Sequence, residues 1–175
     1  MEYTFTLKYQ LMDEPASDHD DIVERLGAAG CDDALVGIGL PGRVALAFVR
    51  EADSAQAALM SALSEVRRAI PTARLIEAAP DLVGLTDVAD VVGVSRQNMR
   101  KLMLGHAAAF PAPIHEGSTS LWHLADVLSW LEARAAYRIE PPVLEVARTA
   151  MQINLAKASH QLRADIKKAL RPLLA

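Results

Sequence analysis

The residues best suited to chemistry lie in one short run, Val94-Ser95-Arg96-Gln97-Asn98-Met99-Arg100-Lys101-Leu102-Met103. A serine ahead of helix-forming residues makes an N-cap, because its hydroxyl accepts a backbone N–H that the first turn cannot satisfy itself. On the helix that follows, Met99, Leu102 and Met103 recur at spacings of three and four and define the inward face. Arg96, Gln97, Arg100 and Lys101 are left facing outward. Those side chains suit DNA. A guanidinium bonds guanine O6 and N7 in bidentate fashion, and a Gln or Asn amide does the same for adenine. Lysine and a capped helix N-terminus hold phosphates. Ser95, Arg96, Gln97, Asn98, Arg100 and Lys101 are therefore candidate DNA-binding residues on a helix spanning 95–103.

Other reactive residue types give weaker patterns. Asp32-Asp33 is a pair of carboxylates, but it falls in a helix-to-strand turn, where Asp serves local hydrogen bonding. Cys31 beside it reads as a small buried apolar residue and not as a nucleophile. His115 and His123 lack a third ligand at metal-binding spacing. His19 reads as solvated and His106 as part of a loop. Trp122 and Trp130 fall at packing positions and read as core, not as base-stacking platforms. No nucleophile–base pair and no metal or cofactor set emerges, so an enzyme is not expected.

A recognition helix must be held against a second helix. In Leu85-Thr86-Asp87-Val88-Ala89-Asp90-Val91-Val92-Gly93, Thr86 is the expected cap, and Val88, Ala89 and Val92 form the apolar face. Gly93 permits a turn at positive φ, and Val94 plugs the space between the two helices. Together these make a helix-turn-helix. Phe110-Pro111-Ala112-Pro113 and Leu121-Trp122 then read as two short strands around Gly117, with the prolines confining the first to an edge. Leu124, Val127, Leu128 and Leu131 define the inner face of a third helix. A helix-turn-helix followed by a hairpin is a winged helix.

Residues 85–131 resemble the small winged helices of the MerR superfamily, and among them the AlpA-type prophage regulators and excisionases. The resemblance is carried by Val94-Ser95-Arg96, by Phe110-Pro111-x-Pro113, by Gly117-Ser118, by Leu121-Trp122 and by Asp126-Val127-x-x-Trp130-Leu131, in that order. It implies DNA binding, with the second helix in the major groove and the wing on the backbone or minor groove. By position, Arg96, Gln97, Arg100 and Lys101 take the helix roles, and His115 to Thr119 take the wing roles; Thr86, His115, Gly117, Ser118 and Thr119 join the candidate DNA-binding residues. The wing tip departs from the pattern, because Glu116-Gly117-Ser118-Thr119 carries no Arg or Lys.

Ahead of this unit, Tyr3, Phe5, Leu7, Tyr9 and Leu11 alternate with polar residues, which is a strand with one buried face. Ser17 and Asp18 offer caps for a helix carrying Ile22, Val23, Leu26 and Ala29 inward, stopped by Gly30. Leu35, Val36 and Ile38 form a second strand. Pro41-Gly42 turns it into a third, through Val44, Leu46 and Phe48. Asp53 or Ser54 caps a helix with Leu59, Ala62, Leu63, Val66 and Ile70 inward, and residues 73–79 make a fourth strand. The order β-α-β-β-α-β is the ferredoxin-like arrangement. Pro80-Asp81 marks the expected boundary.

Beyond Pro141-Pro142, a stripe of Met151, Leu155, Ala158, Leu162, Ile166 and Ala169 predicts an amphipathic helix of up to 28 residues, ending near Pro172. It packs on its own chain or on a twin; the resemblance implies the twin. Its apolar face lacks aromatics, against a membrane-surface role.

The expected fold is thus α+β: a ferredoxin-like domain (1–79), a winged helix-turn-helix (80–138) and a C-terminal amphipathic helix (139–175). The 175 residues are 51% hydrophobic and 23% charged, a core-forming composition. A single cysteine excludes an intramolecular disulfide and fits a reducing, cytoplasmic setting. No signal peptide or membrane span is visible. Net charge runs −6 over residues 1–79, −1 over 80–139 and +3 over 140–175, so nucleic-acid contact must come from a local basic patch. The expected function is that of a sequence-specific transcriptional regulator, a homodimer on double-stranded DNA. Its N-terminal domain would self-associate, or bind a small molecule or protein. The alternative is a phage-excision accessory factor or an antitoxin whose N-terminal domain binds a protein.

Overall fold

The computed structural model describes residues 1–12, 19–135 and 137–174, apart from the side chains of His19 and Ile38. The proposed caps Ser17 and Asp18 lie outside the described residues. The architecture is mixed α+β, built on two hydrophobic clusters.

The first cluster belongs to a four-stranded antiparallel sheet. Its strands are β1 (Glu2–Gln10), β2 (Ala34–Ile38), β3 (Arg43–Glu51) and β4 (Arg74–Ala79), in the order β2-β3-β1-β4. The period of two does what it predicts. Tyr3, Phe5, Leu7 and Tyr9 of β1 and Val44, Leu46 and Phe48 of β3 are buried on one face, and Phe5 stacks on Phe48 at 5.0 Å. Helices α1 (His19–Ala28) and α2 (Ala55–Ala69) cover that face through Ile22, Leu26, Leu59, Ala62 and Val66. Ser54 caps α2 by accepting the Ala57 amide at 3.1 Å. Val23, expected inward, is exposed on α1. Ile22 and Leu26 already fill the space over the sheet, and Val23 lies one step round the helix from Ile22.

The second cluster is helical. Strand β5 (Leu82–Val83), then α3 (Leu85–Val92) and α4 (Arg96–Gly105), lead by an irregular segment to β6 (Trp122–His123) and α5 (Leu124–Ala133). Val88, Ala89, Met99, Phe110, Trp122 and the inner face of α5 are buried together. Thr86 does not cap α3. The cap is Gly84, whose amide donates to Asp87 Oδ2 at 2.8 Å, so the helix starts before Thr86 and leaves it exposed in the first turn.

The expected hairpin around Gly117 is reduced to one bridge, His115 with Leu121. Prolines 111 and 113 lack the N–H that a longer ladder would need. The regular pairing of Trp122–His123 is instead with β5, through Val83↔Trp122 and Leu82↔His123.

The last segment corrects the sequence expectation. Instead of one long helix, α6 (Pro141–Ser159) and α7 (Ala164–Leu170) are separated by a turn. Leu155, Leu162 and Ile166, placed on the packed stripe, are 48%, 42% and 42% exposed. The buried face of α6 lies earlier. Val146 and Ala150 join the first cluster, while Leu144 and Ala147 join the second. α6 therefore packs within its own chain and belongs to both cores. No helix among the described residues is long and apolar enough to cross a membrane.

Candidate nucleic-acid interface

The turn between α3 and α4 is built as the sequence requires. Gly93 sits at φ +72°, in the left-handed region that glycine adopts without a Cβ penalty. Val94 N–H donates to the Ala89 carbonyl at 2.9 Å, closing the end of α3. Ser95 is extended, and its hydroxyl accepts from the Asn98 amide at 3.1 Å. That bond fixes where α4 begins, and the fully buried Met99 fixes its rotation.

With Met99 inward, Arg96, Gln97, Asn98, Arg100 and Lys101 are all exposed. Arg96 and Arg100 are four residues apart, as are Gln97 and Lys101, so each pair lies along the same side of the helix. Gln97, Arg100 and Lys101 line a shallow depression with Leu104 and Gly105. The first turn of α4 holds no acidic residue, and its last turn no basic one. That is the reverse of what the helix dipole favours. The arrangement leaves the N-terminal end of α4 positive and open to an anion.

His115, Gly117, Ser118 and Thr119 lie on the exposed loop between Ile114 and Leu121. The loop is closed at its base by Ile114 N–H on the Leu121 carbonyl at 2.8 Å, and by Leu121 N–H on the His115 carbonyl at 3.0 Å. Trp122 anchors it to the second core and donates its indole N–H to the Pro111 carbonyl at 3.0 Å. Thr86 stands apart on α3. The α4 set and the loop set hang on one core, through Met99 and Trp122.

Trp122 and Trp130 occupy the packing roles expected of them, with Phe110 edge-on to both at 6.1 and 5.0 Å. Sequence reasoning overlooked what Trp130 holds. Arg134, one turn on, lies over its ring at 4.6 Å, and a guanidinium nitrogen stands 3.1 Å from His106 Nε2. His106 ends α4 by donating its amide to Met103. A positioned cation thus stands beside the C-terminal end of α4, and the four-residue spacing of Trp130 and Arg134 was its signal.

Two polar clusters were also missed. Arg50 occupies an inward register position on β3, where its guanidinium binds both Asp33 oxygens at 2.7 and 2.8 Å, Glu65 at 2.7 Å and Ser61 at 2.8 Å. Asp33 is therefore an ion-pair partner and not only a turn residue. Cys31, buried beside this network, has its thiol pushed up to about 11, first by burial and then by the Glu65 carboxylate. A thiol held that high is protonated at neutral pH. Asp81, 1% exposed, bonds His123 Nδ1 at 2.6 Å and the Asn154 amide at 2.7 Å. Among the described residues no group of three metal-ligating side chains is present.

Comparison of the chain with protein-family models, with curated proteins and with solved structures gives no match.

Proposed function

We propose that the chain is a sequence-specific DNA-binding transcriptional regulator that acts as a dimer. In this reading residues 80–138 work as a winged helix-turn-helix and the N-terminal sheet unit as a ferredoxin-like domain. α4 enters the major groove. Arg96 and Gln97, in the first turn, meet base edges. Arg100, Lys101 and Arg134 meet phosphates, and Asn98 lies near enough to assist. The loop carrying His115, Gly117, Ser118 and Thr119 approaches the neighbouring backbone through its polar groups, since it has no cation to offer.

The observation that carries the reading is the pairing of Ser95 and Met99. One caps α4 and the other locks its rotation, and together they turn five polar side chains outward from a helix whose N-terminus is left positive. A helix that merely covered a core would be more stable with acidic residues in that turn. The test is selection of bound sequences from a random DNA pool by the full chain. Enrichment of one motif, lost with Arg96→Ala, supports the reading. Failure to enrich any motif at low salt overturns it.

A further inference from the structure

Among the described residues, no helix covers the second face of the sheet. Thr4, Thr6, Ala45, Ala47, Leu35 and Val49 occupy its middle, and Leu35 and Val49 are 77% and 51% exposed. β-branched and apolar residues suit a strand face buried against another layer. Here the layer of helices lies on the opposite face. Most of these side chains are small.

The ends of this face carry opposite charge. At one end Glu2 and Glu51 stand directly across from each other on neighbouring strands. Like charges in that position destabilise an isolated sheet. At the other end Arg43 and Arg74 flank Gln10, and two residues further in Lys8 is bonded to Glu77 at 2.9 Å. The centre is the row in which Leu35 pairs with Ala47, and Ala47 with Thr6. Arg43 and Glu51 are each four residues from Ala47 in opposite directions, so each is about 13 Å from it along the strand.

We infer that a second copy of this chain packs on this face, about a two-fold axis that crosses the strands at the Leu35–Ala47–Thr6 row. The inference rests on the dimer proposed above and gives it a surface. A two-fold axis in the plane of the interface lays β1 and β3 antiparallel on their twins. Glu51 then meets the twin's cation at position 43, and Glu2 faces the twin's Gln10, which stands beside that cation in the register. Leu35 packs beside its own copy near the axis. The unfavourable Glu2–Glu51 pair thereby gains one cation, opposite Glu51, in each copy. Sheets stack about 10 Å apart in this way. A face four strands wide and five to nine residues long covers about 500 Å² per copy, or about 1,000 Å² in total, at the lower bound for a specific interface.

Sedimentation of the full chain without DNA tests this. The wild type is expected at twice the chain mass of 18.9 kDa. Leu35→Glu is expected at the chain mass with an unchanged circular dichroism spectrum, because Leu35 lies outside the core. Arg43→Glu and Glu51→Arg each place like charges together twice per dimer and should weaken it about 100-fold. Mixing these two variants should restore a 1:1 dimer, and so should combining both changes in one chain. Leu155→Asp, on the exposed C-terminal stripe, should leave the dimer intact. A wild type at the chain mass at its highest soluble concentration overturns both this interface and the dimer. A dimer untouched by Leu35→Glu and by the charge reversals overturns the interface alone. DNA reading by α4 stands on its separate test.

Discussion

Asn154 of α6 closes the edge of the sheet by pairing with the backbone of Ala78, accepting its amide at 2.9 Å and donating to its carbonyl at 2.8 Å. β4 is an edge strand, and its outward N–H and C=O groups would otherwise be open to another chain. The same amide reaches Asp81, and Lys157 donates to the carbonyl of Ile76. One helix face thus seals the sheet edge and holds the buried carboxylate that His123 also binds.

The two halves should consequently unfold together. Asn154→Leu removes three hydrogen bonds and leaves the Ala78 groups and Asp81 under-satisfied, at about 1–3 kcal/mol for each group left buried. In urea, the fluorescence of Trp122 and Trp130 reports the second core, and far-UV circular dichroism reports the whole chain. The two signals should coincide in the wild type and separate in Asn154→Leu. Two separate transitions in the wild type would mean that α6 does not couple the cores.

Arg50 anchors the first core electrostatically. Arg50→Met leaves Asp33 and Glu65 facing each other without their cation; both carboxylates keep some contact with solvent, so the loss should be about 1–3 kcal/mol. Arg50→Lys should recover only part of this, since an ammonium cannot bind both Asp33 oxygens in the fork geometry. Chemical denaturation measures both. A loss under about 1 kcal/mol for Arg50→Met would show that the network is a surface ornament of the kind exposed pairs form.

Cys31 gives a pH test with a defined sign. Burial raises its folded value from 9.0 to about 11, so between those values the folded state holds the proton and the unfolded state releases it. Stability from this group is therefore complete below pH 9 and falls as pH rises towards 11. Cys31→Ala should flatten that part of the stability curve. Alkylation of the folded protein at pH 8 should be slow, and fast in urea. Rapid alkylation without urea would contradict the buried thiol.

Much of this was legible in the residues. Alternation placed β1 and β3, Pro41-Gly42 placed their neighbour's turn, and Ser54 and Ser95 placed two helix starts. Other features left no such trace. Leu82–Val83 is too short to show a period, and Gly84 caps α3 without a side chain that could announce it. α6 misled because it touches two cores, so its buried positions, Leu144, Val146, Ala147 and Ala150, spread over a broad arc instead of one stripe. The apolar stripe beyond it continues in sequence, yet residues 158–169 are exposed. A helix without a surface to pack on has little to sustain it, and it breaks near His160. Arg50 was visible as a charge in a buried register, but its partners come from a turn and from α2, which only the fold brings together.

The sharpest measurement is the binding of Arg96→Ala, Lys101→Ala and Ser95→Ala to the selected site and its single-mismatch variants across a salt series. Arg96→Ala should lose about 1–3 kcal/mol on the selected site and cease to discriminate at one base position. Lys101→Ala should weaken all duplexes alike, with a salt slope smaller by about 1. Ser95→Ala should cost about 1 kcal/mol of stability and leave the base preference unchanged. If Arg96→Ala binds every duplex as tightly as the wild type, with the same preference, α4 does not read DNA and the proposed function is wrong.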